Sequence, residues 1–191
     1  MARKLTIAMT STILCLLVLP ATGLGAEQCY RSDAELGELK FSGVAEGNAF
    51  QGNFGEFEVE ICLKDHDLTT ARIEVRVQTG SASVGNRQGD EALLGEELLF
   101  PDSYPEATWT SSDIARTDDG HRAEGEMRLR GISASQPVNL RLERDNDTLI
   151  LVGDAEILRL EYEVGHGEFA DPEFIDNRVD LEFSLELAPD S

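Results

Sequence analysis

Apolar and polar residues alternate along most of the chain beyond residue 36. In the segment 72–78, Ile73, Val75 and Val77 alternate with charged or amide residues, and the same period of two returns at 179–187. A period of two predicts a strand that buries one face only. The alternating segments are separated by turn-forming clusters such as residues 46–48 and 118–120. The pattern therefore predicts an all-β domain of about eight antiparallel strands.

Strands with one apolar face can close into a barrel or pack as two sheets. A barrel of about eight strands has an interior just wide enough for side chains or for one small ligand. The predicted inward positions include several small residues: Gly43, Gly52, Ala123, Gly125, Gly153 and Ala155. Small inward residues favour an apolar cavity, but glycine also bends strands at barrel corners. A cavity and a packed interior both stay open at this point.

One long segment departs from the alternation. Residues 80–114 include a run, 90–98, in which Leu93, Leu94 and Leu98 recur at helical spacing. Phe100 and Pro101 end that run, and a new strand begins at residue 106. The segment is predicted to carry a short helix and to cross from one set of hairpins to the next. Its apolar residues would then plug or cover the structure that those hairpins form.

The beginning of the chain has the pattern of a secretory signal peptide. A basic pair, Arg3 and Lys4, precedes an apolar run at 5–19 and a stretch of small residues that ends at Ala26. We expect cleavage near Ala26, which leaves residues 27–191 as a single domain in the periplasm or outside the cell. The chain has 37 acidic and 16 basic residues and a formal charge of −21. Such a surface repels nucleic acid and anionic lipid head groups.

The residues that could carry chemistry are few. Cys29 and Cys62 would form a disulfide in an oxidising compartment, or would be two buried thiols. His66, His121 and His166 stand alone and lack the spacing of metal ligands, so no metal site is expected. No nucleophile elbow or phosphate-binding loop is present, and the acidic pairs lie in turns. The sequence therefore predicts no catalytic residues and no enzyme.

A family resemblance enters at the crossing segment. Its signature positions are Gly85, Asn86, Asp90, Leu94, Phe100, Tyr104, Pro105, Ala107 and Trp109. With them the chain resembles the YceI-like family of secreted bacterial lipocalin-like barrels that bind polyisoprenoids, and the likeness extends from Tyr30 to Leu187. This chain has Leu36-Gly37 where many members carry His-Ser, and Gly89-Asp90 where Arg-Asp is usual. These departures indicate a divergent branch whose ligand is different or less polar.

The resemblance implies a carrier that holds a long apolar ligand inside the barrel, either an isoprenoid, a quinone or a fatty-acyl lipid, and needs no other cofactor. The residues predicted to line the interior are Phe41, Phe54, Phe57, Val75, Val77, Leu98, Phe100, Trp109, Met127, Leu140 and Phe183. The alternative is a packed barrel that serves as a non-enzymatic interaction module for a membrane redox or envelope partner. An unpaired strand edge would also allow a homodimer.

Overall fold

The computed structural model describes residues 26–146 and 148–190. Residues 1–25 of the predicted signal peptide therefore lie outside the described residues. Strands dominate the described part. They are β1 (Glu27–Asp33), β2 (Gly37–Ala45), β3 (Asn48–Phe54), β4 (Phe57–Lys64), β5 (Asp67–Gln78), β6 (Ala82–Ser83), β7 (Glu106–Thr117), β8 (Gly120–Leu129), β9 (Ile132–Ser135), β10 (Val138–Asp145), β11 (Thr148–Leu158) and β12 (Arg178–Pro189). Over the same described residues the strands are accompanied by one α-helix, α1 (Arg87–Leu93), and three short 3₁₀ turns.

The strands close into an antiparallel barrel of eight strands, as the sequence predicted. The order around the barrel is β1-β4-β5-β7-β8-β10-β11-β12. The circle closes where Tyr30 and Arg31 of β1 pair with Pro189 and Ala188 of β12. Closure satisfies the backbone groups that a sheet edge would expose, and it excludes the two-sheet sandwich.

The hairpin of β2 and β3 lengthens the barrel at one end. β2 continues the line of β1 after a turn and pairs with β12, so that Phe41 lies opposite Leu181. β3 leads into β4, and the two strands are separated only by residues 55–56. Gly55 therefore lies where the chain passes from this hairpin to the closed part of the barrel.

Long connections gather at one end of the barrel. Residues 79–105 and 159–177 form what we call the roof, and the backbone N–H of His166 in one segment donates to the carbonyl of Glu97 in the other. At the opposite end, strands are joined by short turns such as 65–66 and 118–119. The cavity described below is therefore covered at one end by the crossing segment, as its apolar residues predicted.

The helix in the crossing segment lies earlier than predicted. It was expected at 90–98, but α1 spans Arg87–Leu93. Asn86 caps its first turn, because its side-chain oxygen accepts from the N–H of Gly89. Gly95 follows the end of the helix and turns the chain, so Leu98 reaches the interior from an irregular segment rather than from the helix.

Candidate functional site: an apolar cavity in the barrel

The barrel encloses a cavity of about 230 Å³ whose surface is apolar. The strands contribute inward residues such as Val59, Ile73 and Leu151, and the roof contributes Leu98 and Leu99. This volume exceeds the roughly 150 Å³ of a dry cavity that holds benzene. It falls below the roughly 300–1,000 Å³ of pockets that enclose drug-sized ligands. The cavity therefore has room for part of a slender hydrocarbon chain rather than for a bulky ligand.

Ten of the eleven residues predicted for the wall line this cavity: Phe41, Phe54, Phe57, Val75, Val77, Leu98, Trp109, Met127, Leu140 and Phe183. The prediction for Phe100 is wrong, because that residue is not part of the lining. Phe100 lies in a tight turn with φ of 49° and packs its ring edge-on against Tyr104, with 6.1 Å between centroids. Helical spacing in the sequence gave no sign of that turn.

Aromatic rings from neighbouring strands fill the space beside three of the inward glycines. The Phe50 ring lies against Gly43, the Phe41 ring against Gly52 and the Phe183 ring against Gly153. Each of these glycines is paired in register with the residue that covers it. The glycines therefore do not leave gaps of their own. They let large rings lie close to the wall, and the middle of the barrel stays open.

Several lining residues were missed by the sequence reasoning. Leu93, Leu99, Val164 and Ile175 come from the roof, where no period-two pattern marks an inward face. Others lie on the strands: Leu39, Phe50, Val138, Val179, Leu181 and Leu185. Alternation could have found this second group, because each shares a face with a predicted lining residue or with an inward neighbour.

Arg159 is a buried cation at the edge of the cavity and is only 3% exposed. Its guanidinium donates to the carbonyls of Val164 (2.7 Å), Ile175 (2.6 Å) and Asp176 (3.0 Å). Burial lowers the pKa of Arg159, and the charge of Asp176 opposes that shift. The side chain thus ties the roof segment 159–177 together, because its donors are directed at the backbone rather than at the cavity.

Arg130 holds the other roof segment. It adopts a positive φ of 50° just after β8 and donates to the carbonyls of Glu96 and Leu98. Its guanidinium also lies over the Tyr104 ring, 5.3 Å from the centroid. Since Leu98 lines the cavity, this arginine positions part of the wall without contacting the interior itself.

Tyr162 lies in the roof, three residues after Arg159 in the chain, and is fully buried. Its hydroxyl finds no hydrogen-bond partner within the described part of the chain. Burial raises the pKa of Tyr162 to about 12, and the nearby charge of Glu161 adds to the shift. The phenol is therefore held neutral by the surrounding apolar packing.

The positions that depart from the family pattern have local structural roles here. A Cβ on Gly37 would lie 2.5 Å from the carbonyl oxygen of Ser184, so glycine lets β2 approach β12 closely. The second departure is Gly89, whose backbone N–H donates to the side-chain oxygen of Asn86 (2.9 Å) and where a Cβ would lie 2.5 Å from Cγ2 of Val84. Its neighbour Asp90, which keeps the family residue, accepts hydrogen bonds from the Val84 N–H (2.6 Å) and the Ser83 hydroxyl (3.0 Å). Neither position lines the cavity, so they brace the wall and the crossing segment instead.

Cys29 and Cys62 are joined in a disulfide between the paired strands β1 and β4. The three histidines are separate from one another. His66 Nε2 lies 3.1 Å from the Tyr30 hydroxyl, and neither ring nitrogen of His121 has a partner in the described structure. Across residues 26–146 and 148–190, no three His, Cys, Asp or Glu side chains converge to hold a metal ion. In the same ranges no helix has the length and hydropathy of a membrane span.

A family model for the YceI-like domain matches residues 30–187, which is most of the chain. The chain belongs to the YceI-like family. A UPF0312 protein of Yersinia pestis (strain Pestoides F) is 26% identical over 89 residues, which cover 47% of this chain and 45% of that relative. A UPF0312 protein of Yersinia enterocolitica is 25% identical over the same length. The matched region thus spans about half of these curated relatives.

Solved YceI-like structures share the barrel. BcnA of Burkholderia cenocepacia superposes with a TM-score of 0.76 at 19% identity, covering 82% of this chain and 99% of that one. A second solved structure is a domain from Saccharophagus degradans that is described as polyisoprenoid-binding and implicated in plant cell wall breakdown. It superposes with a TM-score of 0.64 at 13% identity, covering 86% of this chain and 100% of that one. At these identities the likeness establishes the fold of the YceI-like family.

Proposed function

We propose that the protein is an extracytoplasmic carrier that holds the chain of a long apolar ligand, such as a polyisoprenoid, a quinone or a related lipid, inside its barrel. The observation that carries this proposal is the apolar cavity, with ten predicted residues on its wall. The structural neighbour described as a polyisoprenoid-binding domain supports the same class of ligand.

The energetics fit a ligand that needs little polar recognition. Each buried CH₂ contributes about 0.8 kcal/mol before the cost of ordering the chain. Three polar side chains at the wall are directed elsewhere: Gln136 and Arg159 donate to backbone carbonyls, and the Thr79 hydroxyl donates to the carbonyl of Tyr104 at 2.6 Å. With about 230 Å³ available, only part of a long chain fits, and we expect the remainder and the head group to lie outside the barrel.

Two features support a location outside the cytoplasm. The first 26 residues have the pattern of a signal peptide. The Cys29–Cys62 disulfide is typical of an oxidising compartment. Three further expectations stay predictions: that residues 27–191 form a single domain, that the protein has a membrane redox partner, and that it forms a homodimer.

Binding rather than catalysis is the activity we propose. The surface of the cavity is apolar, and the two perturbed groups in the roof, Arg159 and Tyr162, are buried by packing rather than placed in a solvent-accessible cleft. The alternative of a solid barrel that acts only through its exterior required a filled interior. A cavity of about 230 Å³ weighs against that alternative.

The test is to extract the purified mature protein with organic solvent and analyse the extract by mass spectrometry. We expect a stoichiometric prenyl or acyl species, or uptake of added decylubiquinone by a delipidated sample. The matched variants are Val75→Trp, which adds bulk at the cavity wall, and Arg76→Trp, which adds it on the outer face of the same strand. V75W should lower the occupancy, and R76W should retain it.

Thermal melts of both variants check that each still folds. An empty extract together with no uptake of decylubiquinone or of a free prenol would refute the carrier. Equal occupancy in V75W and the wild-type protein would place the ligand outside this cavity.

A further inference from the structure

The barrel wall has a seam between β8 and β11. β8 pairs with β10 at only three positions, His121 to Ala123 opposite Leu140 to Val138. Toward the roof, β8 pairs with β9 instead, and β10 begins only at Val138. β11 continues past its last partner on β10, Asn139 opposite Asp154, as far as Leu158. No strand ladder therefore joins β8 to β11 near the roof within the described residues.

Gln136 closes this seam. Its backbone N–H donates to the carbonyl of Gly125 on β8 (2.8 Å), and its side-chain Nε2 donates to the carbonyl of Glu156 on β11 (2.9 Å). Nε2 also reaches the carbonyl of Pro137 (3.0 Å), and the backbone oxygen of Gln136 accepts from Trp109 Nε1 (2.9 Å). The residue is only 5% exposed. One amide side chain thus takes the place of a ladder in this part of the wall.

The seam separates two concave surfaces. Gln136, Ala155 and Leu181 line the interior cavity and also line a groove on the outer face of the barrel. The groove lies over β10, β11 and β12, and Leu158 on its lining is the large apolar residue with the highest exposure in the described structure, at 36%. A hydrocarbon chain in the groove could therefore pack against the exposed side chain of Leu158. A single layer of residues would separate that chain from the cavity.

We propose that the ligand's chain enters and leaves the cavity through the wall at Gln136, and that its head group rests in the outer groove. This inference rests on the proposed carrier function and adds the route. Rotation of the Gln136 side chain releases its two Nε2 hydrogen bonds, while the backbone bonds to Gly125 and Trp109 stay in place. The seam can then open without separating paired strands.

The charge of the groove selects among head groups. Its lining carries the carboxylates of Asp154, Glu156, Glu161, Asp180 and Glu182. Its two arginines are already paired: Arg178 lies 2.8 Å from both Glu156 and Asp180, and Arg122 lies 2.9 Å from Glu124. A phosphorylated head group would be repelled there, so an uncharged head group such as a quinone or an alcohol is the class we expect.

Stopped-flow fluorescence tests the route, because Trp109 is the one tryptophan of the chain and lies on the cavity wall. The probe is decylubiquinone, whose ring quenches tryptophan. Gln136→Leu keeps the size of the side chain and removes both Nε2 hydrogen bonds, so association and dissociation should each become about tenfold faster. The control is Gln51→Leu, the same change at an exposed position of β3 outside both surfaces, and its rates should match those of the wild-type protein.

A second pair of variants tests the groove and does not disturb the seam. Glu182→Lys reverses a charge in the groove, and Glu58→Lys makes the same change on the exposed outer face of β4. The wild-type protein should bind farnesol more tightly than farnesyl diphosphate. E182K should strengthen the binding of farnesyl diphosphate about threefold relative to E58K, with the affinity for farnesol unchanged.

The outcomes separate the route from the function. Binding of decylubiquinone with equal rates in Q136L and Q51L would overturn the route and leave the carrier intact. Faster exchange in Arg130→Met but not in Q136L would place the entrance in the roof and would also overturn it. If E182K and E58K changed the affinity for farnesyl diphosphate equally, the head group would not rest in the groove. No binding by the wild-type protein would refute the carrier and the route together.

Discussion

A substitution at Gly125 tests how tightly the aromatic rings pack against the glycines of the barrel wall. A Cβ at this position would lie 2.5 Å from Cε2 and Cζ2 of Trp109 and 2.7 Å from the carbonyl oxygen of Thr110. The indole cannot simply withdraw, because its N–H is bonded to the carbonyl of Gln136. Gly125→Ala must therefore shift either the ring or the backbone of β7.

The expected cost follows from these contacts. Overpacking a core by one methyl group costs about 1–3 kcal/mol. If the indole N–H loses its partner while it stays buried, a further ~1–3 kcal/mol is lost. Replacing glycine by alanine within a strand returns roughly 0.5–1 kcal/mol. We therefore expect the free energy of unfolding of G125A to fall by about 1–5 kcal/mol.

The assay is urea unfolding followed by far-ultraviolet circular dichroism, with the emission of Trp109 as a local readout. Gly55→Ala is the matched control, because its nearest neighbours would be 3.6 and 3.9 Å from the new Cβ. G55A should be neutral or stabilising by up to about 1 kcal/mol. If G125A lost no more stability than G55A, the reasoning about the rings and glycines would be refuted.

Three further changes test the roof and the disulfide. Tyr162→Phe should be neutral or slightly stabilising at pH 7, because the buried hydroxyl has no partner among the described residues. Between pH 10 and about 12 the unfolded wild-type chain loses its phenolic proton before the folded one does, so its stability should fall by up to about 3 kcal/mol relative to Y162F. Arg159→Lys should cost about 3 kcal/mol, because the three carbonyls accept from three different nitrogens of the planar guanidinium, and the single nitrogen of an ammonium cannot reach all three. Replacing Cys29 and Cys62 by alanine should cost roughly 3–4 kcal/mol, since the bond closes a 33-residue separation.

Denaturant titrations at pH 7, and for tyrosine at several alkaline values, measure all three. If the free energy of unfolding fell in parallel with rising pH in Y162F and the wild-type protein, the pKa of Tyr162 would not be raised in the folded protein. Full stability of Arg159→Lys would mean that the roof does not depend on the guanidinium. An unchanged midpoint after loss of both cysteines would contradict a stabilising disulfide.

Alternation was a sound guide to the strands because a residue's face in a sheet depends only on its position in the strand. Val75, Val77 and Trp109 were assigned inward from that rule, and they line the cavity. The family resemblance supplied what periodicity could not, namely the choice of a closed barrel over a sandwich.

The rule fails where the chain leaves the sheet. Leu99, Val164 and Ile175 reach the cavity from irregular roof segments, and Phe100 turns away beside them. Their directions depend on turns and on the buried arginines that hold the segments. Such contacts join residues distant in sequence, so no local pattern reports them.

The sequence by itself determined the strands and their inward faces, because these depend on local periodicity. Only the tertiary structure decided that the inward glycines receive rings from neighbouring strands, that two arginines hold the roof, and that Gln136 closes the seam. Each of these depends on strand register and on contacts across the barrel, which exist only once the chain has closed on itself.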